Sequence, residues 1–165
     1  MIIRPANTPD HDAMWRIFQA VVATGTSYSF APETRRESGL AYFIGPQIAS
    51  WVAETEGRVV GMYKLIPNRP DLGSHVTNAS FMVDPTCAGR GVGQALGLHS
   101  LREARRTGFQ AMQFNFVVST NTAAVNLWKK LGFAIAGTLP RAFQHRELGL
   151  VDAYVMHRFL DDIEV

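Results

Sequence analysis

The chain has little of what marks a specialised class. It contains one cysteine, Cys87, in 165 residues, which excludes an intramolecular disulfide framework and fits a reducing compartment. No run of basic residues exceeds two, at Arg35-Arg36, Arg105-Arg106 and Lys129-Lys130, and the net charge is only +2. These pairs read as solvated helix faces, so no nucleic-acid partner is expected. No stretch of about 18 apolar residues exists and the opening M-I-I-R-P-A has no signal-peptide core. Neither a membrane span nor a membrane partner is expected, and the expected location is cytoplasmic. The five histidines, His11, His75, His99, His145 and His157, fall into no ligand spacing, so no metal is expected. What is present, 47% hydrophobic and 18% charged residues, is the composition of one ordinary globular domain over residues 1–165.

Hydrophobic periodicity divides the chain into strands and helices in a mixed order. Ile2 to Pro5 reads as a strand. Thr8-Pro9-Asp10 starts a helix whose Ala13, Met14, Ile17, Phe18 and Val21 form an apolar stripe. A loop from Ala23 to Pro32 carries Tyr28 and Phe30, and a second helix is expected from about Glu33 to Ile44. Strands follow at Ser50 to Glu54, Arg58 to Pro67 and Val76 to Val83, the first two joined by a tight turn at Glu56-Gly57. After a helix from Gly91 to about Thr107, with Gly97, Leu98, Leu101 and Ala104 on its apolar face, come a strand at Ala111 to Val118 and a helix at Asn121 to Leu131. Strands near Ile135 to Leu139 and Val151 to Phe159 close the pattern. The helix between the strands ending at Val83 and Val118 makes those two parallel, with a right-handed crossover. The rest reads as antiparallel.

Two segments carry chemistry. In M-V-D-P-T-C-A-G-R-G-V-G-Q-A-L, Met82 to Leu96, an apolar strand ends before a proline and a loop with Gly89, Gly91 and Gly93 opens a helix. Uncovered N–H groups beside a helix N-terminus form a cradle for a phosphate or pyrophosphate; the same spacing also serves a tight turn with a close helix entry. Gln94 stands where a Walker loop needs lysine. The acid that a dinucleotide site requires downstream is missing, since none occurs from Thr107 to Arg146. The second segment is N-T-A-A-V-N-L-W-K-K-L-G-F, Asn121 to Phe133. It reads as a short amphipathic helix with Ala123, Ala124, Leu127, Trp128 and Leu131 in one stripe, stopped by Gly132.

Together these segments resemble the GCN5-related N-acetyltransferases (GNAT superfamily), which move an acetyl group from acetyl-CoA to an amine. Ala88 to Gly93 is similar to that superfamily's [Q/R]-x-x-G-x-[G/A] loop, and Asn121 to Phe133 to its N-x-x-A-x-x-L-[Y/W]-x-x-x-G-F segment. The resemblance implies a single acetyltransferase domain of α/β class. Its expected sheet is mixed and mostly antiparallel, flanked by helices, with a central parallel pair that splays apart. It implies acetyl-CoA as donor and a small-molecule amine as acceptor, and it is compatible with a homodimer. Two alternatives stand beside this reading: a non-catalytic CoA-binding sensor or interaction module, and transfer to a protein amine. Asn78, Asn115 and Asn121 with the loop around them are also similar to a subgroup acting on small imino acids.

The implied donor site comprises the backbone of Phe81, Met82 and Val83, the loop residues Gly89, Arg90, Gly91, Val92, Gly93 and Gln94, and Asn121 and Trp128. Ala88 stands where the loop motif has Gln or Arg, leaving the backbone amides to hold the anion. Trp128 stands where many relatives carry a tyrosine that protonates the departing thiolate, and an indole N–H is no acid near neutral pH. Asn78 and Asn115 are the candidate catalytic residues, since a carboxamide in a buried strand needs a partner; for Asn78 a structural bond and a substrate contact weigh equally. Asn121 fits an N-cap, with a contact to the CoA arm implied by the resemblance. Asp84 reads as a turn cap, leaving no acidic base. Tyr28, Phe30 and Phe143 are the candidate pocket walls.

Overall fold

The structure is a computed structural model that describes residues 1–164. One seven-stranded sheet, in the order β1-β2-β3-β4-β5-β7-β6, runs through the chain. Its strands are β1 (Ile2–Pro5), β2 (Ala49–Thr55), β3 (Arg58–Pro67), β4 (Val76–Val83), β5 (Ala111–Val118), β6 (Ala134–His145) and β7 (Gly149–Phe159). All neighbours pair antiparallel except β4 and β5. The helices are α1 (His11–Val22), α2 (Arg36–Phe43), α3 (Val92–Arg106) and α4 (Thr122–Lys130). This is the mixed sheet with one parallel pair that the alternation of patterns predicts.

The sheet separates two cores because its inner strands are apolar on both sides. Under α1, Met14, Ile17, Phe18 and Val22 pack with Val52, Met62 and Met82. On the opposite face Leu96, Leu101 and Ala104 of α3, Val125 and Trp128 of α4, and Leu131 just after it pack on Tyr63, Ala79, Met112 and Phe114. Alpha-3 and α4 approach closely at Gly97, where a Cβ would stand 2.5 Å from Leu131 Cδ1. A side chain there would displace the Leu131 side chain and crowd the Trp128 ring, 3.2 Å away.

Some details differ from the sequence reading, each for a local reason. Leu98 is 40% exposed while its near neighbours Leu96 and Leu101 are buried, since only one side of α3 can meet the sheet. Ala123 is exposed and Val125 takes its place in the core. Val22 rather than Val21 is the fully buried residue at the end of α1. Alpha-2 starts at Arg36, after an extended Arg35 (ψ 152°), because residues 31–34 close a turn through Thr34 N–H to the Ala31 carbonyl. Beta-6 continues through Pro140 to His145, since an edge strand tolerates proline's missing N–H.

Two features shape the centre of the sheet. Parallel pairing of β4 with β5 covers only Val76, Thr77 and Asn78 against Ala111, Met112 and Gln113. Just beyond, the register of β5 on β7 shifts between Phe114 and Val117, and such a bulge bends its strand. The two parallel strands therefore part. The segment between α1 and α2 covers the opening on one face and is tied to the β6–β7 hairpin. Arg146 donates its backbone N–H to Gly25 O at 3.1 Å and its guanidinium to Ala23 O at 3.2 Å.

Candidate active site

The parting of β4 and β5 begins at Asn78. Its Nδ2 donates to the Gln113 carbonyl at 2.9 Å, so the side chain spans the fork from one strand to the other. Farther along β4, the Asp84 N–H returns to the Val60 carbonyl at 2.9 Å. Because strand backbones alternate direction, Met82 also turns its amide and carbonyl to β3, while Phe81 and Val83 turn theirs into the gap. At Phe81 both groups meet one hydroxyl: Tyr28 donates to the Phe81 carbonyl at 2.6 Å and accepts from the Phe81 N–H at 3.0 Å.

A cavity of about 280 Å³ passes through this opening. From the α1 and α2 side it is lined by Tyr28, Phe30 and Tyr42, and from β4 by Asn78, Ser80 and Phe81. Beta-5 and α4 contribute Phe114, Asn115, Phe116, Asn121, Ala124 and Trp128. Side chains from both faces of the sheet line one space, which a continuous sheet would forbid. None of the described residues lining it is charged. Trp128 packs its ring 4.7 Å from those of Phe81 and Phe114, and Phe30 meets Tyr42 edge-on at 4.9 Å.

Tyr42 is held from two sides. Its hydroxyl bonds Ser80 Oγ at 2.7 Å, and the ammonium of Lys64 lies 3.3 Å from its ring centroid while donating to its carbonyl. Burial pulls the Lys64 pKa down to about 8, but the cation over the ring still fixes Tyr42 against the cavity. The Tyr28 hydroxyl is pushed well above the usual phenol range, chiefly by burial and secondarily by Tyr42. Both hydroxyls therefore keep their protons at neutral pH.

At the C-terminal end of β4 the chain turns through Pro85–Cys87, capped by Asp84, which accepts from the Thr86 N–H at 3.0 Å and from Arg58 at 2.7 Å. The Thr86 and Arg58 bonds hold this carboxylate below its ordinary pKa despite burial. It is committed to the turn and is no base for the cavity. Gly91 caps α3 with φ +79°, and the first intrahelical bond after it runs from Ala95 N–H to Gly91 O. The amides of Val92, Gly93 and Gln94 precede that bond and have no partner within the helix. With Gly89, Arg90 and Gly91 exposed around them, these amides fit a pyrophosphate. Gly93 has a packing duty too, since a Cβ there would lie 3.3 Å from Leu127 Cδ2.

The sequence candidates are thus partly gathered. Asn78, Asn115, Phe81, Asn121, Trp128, Tyr28 and Phe30 share the cavity, with Asn121 also capping α4 through Ala124 N–H at 3.2 Å. Asn115 stands at the exposed rim, donating to Asn68 Oδ1 at 2.7 Å and accepting from Gln113 at 2.8 Å. Phe143 is buried beside Phe116, ring centroids 6.3 Å apart, and does not line this cavity. Cys87 is buried in the α3 core, away from the lining. Among the described residues no group of three His, Cys, Asp or Glu could hold a metal, and no helix is long and apolar enough to cross a membrane. The sequence did not single out Tyr42, Ser80, Phe114, Phe116 or Ala124 as lining residues. Ser80, a polar residue within an apolar strand, was the signal available.

Because Asn78 Nδ2 is committed to Gln113 O, Asn78→Ala should leave that carbonyl unpaired and lower stability by about 1–3 kcal/mol. Turnover per folded molecule should be nearly retained. Unchanged melting with a hundredfold loss of turnover would instead place the acceptor on this carboxamide.

A parallel strand pair that parts around a cavity, followed by open amides at a helix start, is the framework of the N-acetyltransferase fold. The sequence model of the Acetyltransferase (GNAT) family matches residues 12–133, and the chain belongs to that family. A GCN5-related N-acetyltransferase from Kribbella flavida superposes with a TM-score of 0.90 at 42% identity, covering 96% of each chain. The structure of yncA from Salmonella typhimurium with its cofactor acetyl-CoA superposes with a TM-score of 0.85 at 26% identity, covering 100% of this chain and 96% of that one. N-acetyltransferase aca1 of Schizosaccharomyces pombe is 32% identical over 120 residues, 72% of this chain and 57% of that protein. The chain therefore spans little more than half the length of this curated relative.

Proposed function

We propose that this protein transfers the acetyl group of acetyl-CoA directly to the neutral amine of a small molecule, an amino acid, imino acid or related amine. The observation that carries this reading is the fork itself: strand backbone at Phe81 and Val83 faces a gap that opens into an uncharged, aromatic-lined cavity. The amides of Val92, Gly93 and Gln94 would hold the donor's pyrophosphate, and the Phe81 carbonyl and the Val83 backbone would pair with its amide-bearing arm as an added strand does. The Phe81 N–H would then donate to the oxygen that gains charge as the amine nitrogen bonds the thioester carbon and the carbon–sulfur bond breaks. The proton released by nitrogen balances the one taken up by the thiolate.

No cavity residue is a carboxylate or histidine, so the acceptor must arrive largely deprotonated. That favours amines of low basicity over polyamines. The cavity volume of about 280 Å³ suits a small acceptor better than a folded protein surface. The test is thiol release from acetyl-CoA across amino acids, imino acids, weakly basic amines, polyamines and peptides. Release with a small amine is the expected result, faster as pH rises through the acceptor's own pKa. Tight acetyl-CoA binding with no release for any acceptor would make the protein a CoA-binding module, and release with peptides alone would make it a protein acetyltransferase.

A further inference from the structure

An internal strand residue normally spends its N–H and C=O on a neighbouring strand. At Phe81 both are spent on one side-chain hydroxyl, that of Tyr28, at 3.0 and 2.6 Å. This tyrosine lies 53 residues earlier in the chain, in the irregular segment between α1 and α2, and reaches into the gap from the α1 and α2 side. Its oxygen accepts from the amide and donates to the carbonyl, the same pair of contacts an added strand or an amide-bearing ligand would make there. One N–H carries one proton, and both contacts lie on the side of β4 that faces the gap. A ligand paired to Phe81 and the Tyr28 hydroxyl therefore exclude each other.

We propose that the Tyr28 hydroxyl is a displaceable stand-in for the acyl donor: it satisfies the Phe81 backbone in the free protein and is turned out of the gap when acetyl-CoA binds. The inference rests on the acetyl-CoA reading above. Burial keeps the phenol protonated, so at neutral pH the hydroxyl can donate to the carbonyl, and the Phe81 backbone has a partner while no donor is bound. Self-occupancy lowers apparent donor affinity by the fraction of molecules in which the hydroxyl is in place. It also links the donor gap to the wall of the acceptor cavity on the α1 and α2 side. Tyr28 meets Tyr42 edge-on with centroids 6.4 Å apart, and Tyr42 is anchored to Ser80, so donor binding would move a wall of the acceptor cavity.

Tyr28→Phe tests this by removing the hydroxyl and keeping the ring. Calorimetry with acetyl-CoA should give a Kd lower than wild type by roughly fivefold or more, because the competitor is gone. The melting temperature without ligand should fall, because the Phe81 amide and carbonyl lose their partner. A Kd that is unchanged or higher overturns the inference, whether or not stability falls, since a purely structural hydroxyl would lower melting alone. A second measurement uses the wild-type protein, whose folding is not in question. The Tyr28 hydroxyl proton, held by the Phe81 carbonyl, should give an NMR resonance in the wild type that is lost on saturation with acetyl-CoA, and its persistence overturns the inference. A wild type that does not bind acetyl-CoA removes the proposed function and this inference together; a wild type that binds, with no gain in the variant, removes this inference alone.

Discussion

Gly91→Val should weaken acetyl-CoA binding by about 2 kcal/mol or more, roughly thirtyfold, while the protein stays folded. Gly91 caps α3 at φ +79°, a conformation that costs an L residue about 1–2 kcal/mol and a β-branched one more. A Cβ there meets nothing within 4 Å, so the substitution makes no clash inside the protein. The effect falls on the cradle: a branched side chain stands beside the amides of Val92, Gly93 and Gln94, and relief of the backbone strain turns those amides away. Their contacts to a phosphate are charge-assisted, which makes their loss expensive. Gly93 would be a poorer probe, because a Cβ there would press on Leu127 Cδ2 and disturb the α3 and α4 packing as well. Calorimetry on the folded variant, checked by circular dichroism, decides it. Unchanged affinity would remove the loop from the donor site.

The frame of the molecule was legible because its elements are strongly patterned, and the proposed donor site because it would be made of backbone. The glycines that open α3 and the Asn121 to Phe133 segment carry their meaning in spacing, and spacing survives in a linear sequence. The cavity was less legible, since its walls depend on packing between distant elements. Tyr42 reaches the fork only because α2 lies over it, and Lys64 holds it there from β3. Asn78 and Asn115 look alike in sequence, yet one spans the fork and the other turns outward to Asn68; the β5 bulge after Phe114 separates their fates. The exposure of Ala123 and the burial of Val125 have a similar origin. With Asn121 as cap, the start of α4 lies at the surface, and only the turn holding Val125 and Trp128 reaches the core. Periodicity gives the width of an apolar face, but its exact rotation is set by the partner helix at Gly97.

Trp128→Ala should be the most damaging single change in the site, lowering stability by about 3–5 kcal/mol. The indole is 7% exposed and lies between Phe81 and Phe114, each 4.7 Å away by ring centroid, with Phe133 at 6.1 Å. Its loss would leave a cavity bounded by α3 and α4 on one side and the parted strands on the other, and the surroundings are too rigidly paired to fill it. Because that loss would obscure any effect on chemistry, the informative partner is Trp128→Phe. Phenylalanine keeps most of the apolar packing and deletes the indole N–H. If Trp128 serves by packing, Trp128→Phe should retain turnover within a few-fold per folded molecule, since an N–H that does not ionise near neutral pH supplies no proton to a thiolate. Denaturant unfolding and thiol-release rates on both variants separate the roles. A hundredfold loss of turnover in Trp128→Phe, at near-normal stability, would show that the indole N–H itself contacts the reacting group.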